Sequence, residues 1–390
     1  MLPQIRHVVV VVMENHSFDN YFGLLGRGDG FRLDTAGQPV NANPGPDGAA
    51  VRCYHAPSPC QANVQVSQDW VTSHRSWDQG RNDGFVLAKG SSPMAYYTET
   101  DLPFYYSLGR TFVLCDRFFC STMAQTYPNR RFLMAASAFG LVNDTFAGGD
   151  VSPRPHGFGT VFDMLNHYGV SWTNYYSTLP SSLIFPYVAQ GNQSRLVPIS
   201  RFYADAAAGT LPFFSLVDPD FGLSSEENPQ DVQNGEQFAA RVINAVLQSP
   251  AWPHTVLIWL YDEHGGYYDH VPPQPAVRPD GIPPDVPARY LYGDLYSWTG
   301  FRVPAVVASP WAKRDYVSSV VHDHTSILKL VETKWNLPAL SDRDANASNL
   351  LDTLDLGAPQ PPFLVPPSLA APVAVTAAQV EACAASNHTA

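Results

Sequence analysis

Two stretches of the chain are apolar at nearly every position. Residues 5–13 are dominated by valine, and residues 255–261 read TVLIWLY. Both fall well short of the roughly 20 residues that span a bilayer. Their β-branched and aromatic content favours extended backbone, so both predict buried strands. Each stops abruptly at polar residues, MENH after the first and DEHGGYYDH after the second. Shorter apolar segments at 170–175, 213–217 and 303–308 predict further strands. Between them lie helical patterns. Residues 126–140 carry Pro128 near the start and Gly140 at the end, in keeping with a helix. Residues 160–168 and 324–335 read as helices, and so do 234–248, with Phe238, Ala239, Val242, Ile243, Val246 and Leu247 along one side. Strands alternating with helices predict an α/β architecture, a mainly parallel sheet covered on both faces.

Residues 23–60 are rich in Gly, Pro, Asn and Asp and predict a long loop excursion. A Pro-rich loop is expected at 271–287, and residues 359–390 form an Ala/Pro-rich tail, partly disordered or laid along the surface. No internal repeat is visible. The expected organisation is one domain over 1–358 with long loop insertions, followed by the tail. A length of 390 residues allows one large domain of this kind.

The formal net charge is -12 and charged residues make up only 15% of the chain. No basic stripe is present to replace counterions, which argues against a nucleic-acid partner. A phosphate-bearing substrate stays open, because a bound metal inverts the local sign of charge. No transmembrane helix is expected. The first strand begins so close to residue 1 that no signal peptide fits ahead of it. That points to the cytoplasm, or to a secreted or periplasmic location if a leader has been removed. Of five cysteines, Cys53 and Cys60 bracket CYHAPSPC and are candidates to close a small loop by a disulfide. Cys115 and Cys120 read as buried thiols, Cys383 lies in the tail, and none has zinc spacing.

The candidate chemistry gathers at the strand ends, where ligands collect in open parallel sheets. Glu14 and Asn15 offer adjacent oxygen ligands for a metal or phosphate, or else cap the next turn. Asp262 and Glu263 end the other strong strand, ahead of His264, Gly265 and Gly266. Two strand ends presenting hard oxygen donors can converge on one divalent cation, without which the adjacent carboxylates of Asp262 and Glu263 would repel. Thr126 stands at the expected amino end of a helix, either as its cap or as a nucleophile beside an anion seat. Among the histidines, His324 opens the HTSILKL helix, His74 lies in SHRSWDQG, His264 follows the acidic pair and His270 follows Asp269; His16 reads as support for the turn after Glu14.

Four segments together resemble the bacterial phosphoesterases that include non-haemolytic phospholipase C and certain acid phosphatases, with plant non-specific phospholipase C. They are MENHSFDNYFG at 13–23, TYPNR at 126–130, YDEHGGYYDHV at 261–271 and DHTSILK at 323–329. The resemblance implies an alkaline-phosphatase-like three-layer sandwich. It further implies Thr126 as the nucleophile, and one divalent metal (Ca, Mg, Mn or Zn) held by Glu14, Asn15, Asp262, Glu263 and the Thr126 oxygen. His324 and His74 match histidines for phosphate contact or protonation of the leaving group, and Asn129, Arg130 and His264 are expected to hold phosphate. Two departures stand out: Gln68 occupies a place where many relatives have histidine, and Glu226-Glu227-Asn228-Pro229 replaces an acidic-His-Pro element. The expected reaction is hydrolysis of a phosphodiester by a phospholipase C-type route through phosphothreonine. The alternatives are an acid phosphatase with the same machinery and a non-catalytic metal-stabilised binding module. The expected partner is a small phosphoester or phospholipid, with at most transient membrane-surface contact. Tyr96, Tyr97, Phe104, Tyr105 and Tyr106 are expected either to meet lipid or choline or to belong to the core.

Overall fold

The computed structural model describes residues 2–145 and 157–386. Among these, an eight-stranded sheet forms the middle layer. Its strands in chain order are His7–Met13 (β1), Val113–Cys115 (β2), Trp172–Tyr176 (β3), Leu196–Pro198 (β4), Phe214–Asp218 (β5), Thr255–Tyr261 (β6), Ala305–Ala308 (β7) and Val317–Ser318 (β8). Across the sheet the order is β8-β2-β7-β6-β1-β5-β3-β4, and only β7 runs against its neighbours.

The two most apolar stretches take the centre. β1 pairs in parallel with β6 on one side and β5 on the other. Every residue of β6 is buried, as are all of β1 after His7, so both faces of the sheet are covered. One helical layer contains Pro103–Thr111 (α1), Ile199–Ala208 (α4) and Val232–Leu247 (α5). The apolar stripe of α5 packs on β1 and β6. The opposite layer is built on Thr126–Ala135 (α2), which packs against Val161–His167 (α3) and His324–Trp335 (α6). This layering agrees with the three-layer sandwich that the motifs imply. No helix among the described residues is long and apolar enough to cross a membrane.

Two expectations change, and the alternatives left open for the tail and for the aromatic residues are decided. Helix α2 ends at Ala135 rather than at Gly140, because Ala136 already adopts the left-handed conformation at φ 57° and its N–H closes onto the Phe132 carbonyl. Cys53 is a free, buried thiol, and the disulfide joins Cys60 to Cys383. Cys53 packs with Trp77, Phe85 and Phe301 in a small satellite core, whereas Cys60 meets the tail helix Ala377–Ser386 (α7). The tail is laid along the surface: Phe363 packs on Phe112 with ring centroids 5.0 Å apart, and its carbonyl accepts from the Trp252 indole at 2.9 Å. Finally, Tyr96, Tyr97, Phe104, Tyr105 and Tyr106 are all buried, so they serve as core and not as a lipid-facing loop.

Candidate active site

Parallel pairing in register builds the site. Met13 pairs with Tyr261, so Glu14 and Asp262 leave adjacent strands side by side. On the other flank of β1, strand β5 ends at Asp218. Three neighbouring strands thus each end in an acid. Arg130, one helical turn into α2, reaches all three. Its Nε donates to Asp262 Oδ2 at 2.9 Å, Nη1 to Asp218 Oδ1 at 3.1 Å and Nη2 to Glu14 Oε1 at 3.4 Å. The guanidinium is buried and docks the amino end of α2, and with it Thr126, over the strand ends. Arg130 is therefore spent on carboxylates, not left free for phosphate.

The DEHGG turn closes against β1 through glycine. Gly265 has φ +66°, and a Cβ there would stand 2.0 Å from the Asn15 carbonyl oxygen. Asn15 itself adopts φ 73°. Glu263 Oε2 accepts from the Gly265 amide at 2.6 Å, and Asp262 Oδ1 accepts from the Glu263 amide at 2.8 Å.

What these acids lack is countercharge. Glu14, Asp218 and Asp262 are buried around one guanidinium, and Glu263, buried beside Asp262, pairs with no arginine or lysine among the described residues. Burial pushes the carboxyls of Glu14 and Glu263 well above the usual range, and Asp262 upward as well. Glu14 Oε2, Glu263 Oε1 and both atoms of the Asn15 amide meet no partner at hydrogen-bonding geometry, although Asn15 lies near enough to Glu227 to favour that group's charged form. Three unpartnered hard oxygens facing excess negative charge suit a divalent cation. The cradle is open rather than tight. Among the described residues the one acid–histidine group whose ligand atoms all lie within 4.8 Å is Asp19, Asp269 and His270. There Arg302 already supplies the cation, donating to Asp269 at 2.8 Å and to Asp19 at 3.0 Å.

Thr126 lines a cavity of about 280 Å³ with Glu14, Arg130, Asp144 and Glu227 on the polar side. Leu179, Pro180, Leu183, Ile184 and Phe221 make the apolar side. Thr126 is the first residue of α2. The cap position belongs to Gln125, which makes no side-chain capping bond, so the Thr126 hydroxyl is not the cap. The helix amides are less available than the sequence suggests. The Tyr127 N–H donates to Asp144 Oδ1 at 2.7 Å, and Pro128 has none. Asp144 thus sits where an anion would bind, its carboxyl pushed up to about 6 by burial. Glu227 is pushed up to about 7 by burial and by the neighbouring Asp262 and Asp144.

The remaining candidates have other duties. The Asn129 amide donates to the carbonyls of Thr122, Ala124 and Gln125 and accepts from the Thr122 N–H, which braces the loop before α2 and leaves nothing for phosphate. His324 lies within hydrogen-bonding distance of the Tyr261 carbonyl through Nε2 and of Ser121 through Nδ1, at 3.1 and 3.2 Å. Burial lowers it to about 4, and it steadies the strand end ahead of Asp262. His74 is buried between the Trp70 carbonyl at 2.7 Å and Asp294 at 3.3 Å, stacked on Tyr292. Neither ring lines the Thr126 cavity. His264 has its Nδ1 3.4 Å from Glu263 Oε2 and lacks a hydrogen-bond partner on either nitrogen; burial lowers it to about 3, so it is a neutral ring at the edge of the cradle. His16 is support, stacked between Tyr21 and Tyr267. Sequence reasoning missed Asp218, Glu227 and Asp144. The first two had signals, an acid ending a strand and the EENP departure; Asp144 had none.

The folded chain holds protons on Asp144 and Glu227 that the unfolded chain releases near pH 4 to 5, so the native state binds more protons through the window up to about 7. Stability of metal-free protein must then fall as pH rises from about 5 to about 8. Urea midpoints in the presence of chelator check this; a flat or rising trend would contradict it.

Comparison with known proteins decides the family. The profile described as the Phosphoesterase family matches residues 5–338. The chain belongs to the phosphoesterase family. This phosphoesterase is similar to phospholipase C B of Mycobacterium tuberculosis, at 32% identity over 93% of the chain and 80% of the relative. It is 30% identical to the non-hemolytic phospholipase C of Burkholderia pseudomallei over 86% of the chain and 56% of that protein. Among solved structures, a protein of the alkaline phosphatase superfamily from Vibrio parahaemolyticus gives a TM-score of 0.45 at 12% identity, over 88% of this phosphoesterase and 70% of that chain.

Proposed function

We propose that this phosphoesterase hydrolyses a phosphodiester by the phospholipase C-type reaction, through a covalent phosphothreonine at Thr126. The observation that carries the reading is that Thr126 shares a cavity with Glu14, whose Oε2 has no hydrogen-bond partner. Glu14, Asn15, Asp262 and Glu263 would hold a divalent metal. When bound, it supplies positive charge that lowers the pKa of the Thr126 hydroxyl and offsets charge on phosphate oxygens. Thr126 Oγ1, its proton passed to solvent, attacks phosphorus as the P–O bond to the departing alkoxide breaks in line, and water then attacks phosphorus from the opposite side, breaking the P–Oγ1 bond and freeing the threonine. Two inversions give overall retention at phosphorus.

The leaving alkoxide needs a proton. Glu227 and Asp144 stand on the cavity wall and hold protons nearer neutrality than ordinary carboxyls do, so they take the role expected of His324 and His74. Asp144, the more acidic of the two, is ionised at neutral pH and favours a diester over a monoester. A monoester arrives with a second negative charge and meets more repulsion from the wall. The apolar side of the cavity suits an ester arm with hydrocarbon character.

Two measurements test this reading. Turnover of nitrophenyl phosphocholine is expected to exceed that of nitrophenyl phosphate. Chelation is expected to abolish both activities, with recovery on titrating divalent metal back. Full activity after complete metal removal would sink the proposal.

A further inference from the structure

Glu226, next to Glu227 but turned away from the cavity, is fully buried and collects three phenols. The Tyr105 hydroxyl donates to Oε1 at 2.5 Å, the Tyr21 hydroxyl to Oε2 at 2.6 Å, and the Tyr261 hydroxyl to the same Oε2. Its main-chain carbonyl lies 3.1 Å from His16 Nε2 and accepts from the Gln61 amide at 2.8 Å. The backbone there is in the left-handed region, φ 76°, which an L residue adopts only when its surroundings impose it. Space for the side chain depends on Gly235, where a Cβ would stand 2.0 Å from Glu226 Cγ.

The elements joined at this carboxylate are those that bear the cradle. Tyr261 immediately precedes Asp262 and Glu263, and His16 and Tyr21 follow Glu14 and Asn15. Glu227 is the next residue along. Phenol rings are rigid spacers, so a carboxylate shared by three of them sets the separations between the backbones they hang from. We propose that Glu226 is a positioning residue for the phosphoester reaction: it locks the Glu14–Asn15 end, the Asp262–Glu263 end and Glu227 into one geometry without touching substrate. The inference rests on the function proposed above.

The test compares Glu226→Gln, Tyr261→Phe and Tyr105→Phe. The amide oxygen of glutamine accepts at most two hydroxyls and its NH₂ accepts none, so at least one phenol loses its partner. Four quantities are read: affinity for Mn²⁺ alone, the thermal midpoint, and kcat and KM on bis(nitrophenyl) phosphate. Glu226→Gln and Tyr261→Phe are expected to lower Mn²⁺ affinity and kcat by about 10- to 100-fold, leaving KM nearly unchanged. Tyr105 hangs from α1, which bears no cradle residue, so Tyr105→Phe is expected to lower the thermal midpoint comparably while losing far less Mn²⁺ affinity. If Glu226→Gln does not fold, the two tyrosine variants decide alone. Equal weakening of Mn²⁺ binding by both tyrosine variants, or Glu226→Gln with wild-type affinity and kcat, would overturn the inference. A wild-type chain that binds Mn²⁺ but hydrolyses no phosphodiester would overturn the function reading alone, since the affinities still decide the role of Glu226.

Discussion

Thr126→Ala is expected to lower turnover of an activated phosphodiester by about 10³-fold or more, the scale on which loss of a covalent nucleophile acts. The fold should barely register the change. The helix cap lies one residue earlier and makes no side-chain bond, so removing the Thr126 hydroxyl deletes no capping interaction. Stability should shift by no more than about 0.5 kcal/mol. Measuring kcat and the thermal midpoint on the same preparation separates the two readings of this hydroxyl. Near-wild-type turnover would remove the nucleophile from the scheme, and a large midpoint drop would restore the capping role.

Arg130→Leu should have the opposite profile, with stability as its main readout. Removing the guanidinium leaves Asp262, Asp218 and Glu14 buried without their shared cation, and breaking buried pairs of this kind costs about 3–5 kcal/mol. Arg130→Lys should recover only part, because a point charge cannot address three carboxylates as a planar fork does. The loss should shrink at lower pH, where the acids are protonated, and on adding divalent metal. Urea unfolding measures it; a change below about 1 kcal/mol would mean that the acids do not depend on Arg130.

The centre of the fold was legible because β1 and β6 are apolar at every position after their first residue, a pattern that needs no long-range information to read. Their ends were legible for the same reason, since Glu14 and Asp262 interrupt those runs. The remaining pieces depend on where distant segments fold back. Asp218 matters only because β5 lies beside β1, and Asp144 only because its loop returns to the start of α2. Strand β2 is only three residues long, too short for a periodicity of its own, and the reversed direction of β7 has no local signature. The resemblance makes His324 and His74 candidates for phosphate contact or leaving-group protonation, yet both rings are buried beside structural partners. Cys53 and Cys60 were paired by proximity in sequence, whereas a disulfide follows proximity in space.

The place of β1 at the middle of the sheet also sets a schedule for biosynthesis. Val8 pairs with Phe214 on one side and with Val256 on the other. The most valine-rich strand is therefore made first and waits for partners more than 200 residues away. At about 5–20 residues per second, that delay is on the order of ten seconds to a minute with an apolar, β-prone segment unpaired. Yield in a heterologous host should thus respond to chaperone supply and to growth temperature more strongly than the stability of the finished protein would suggest.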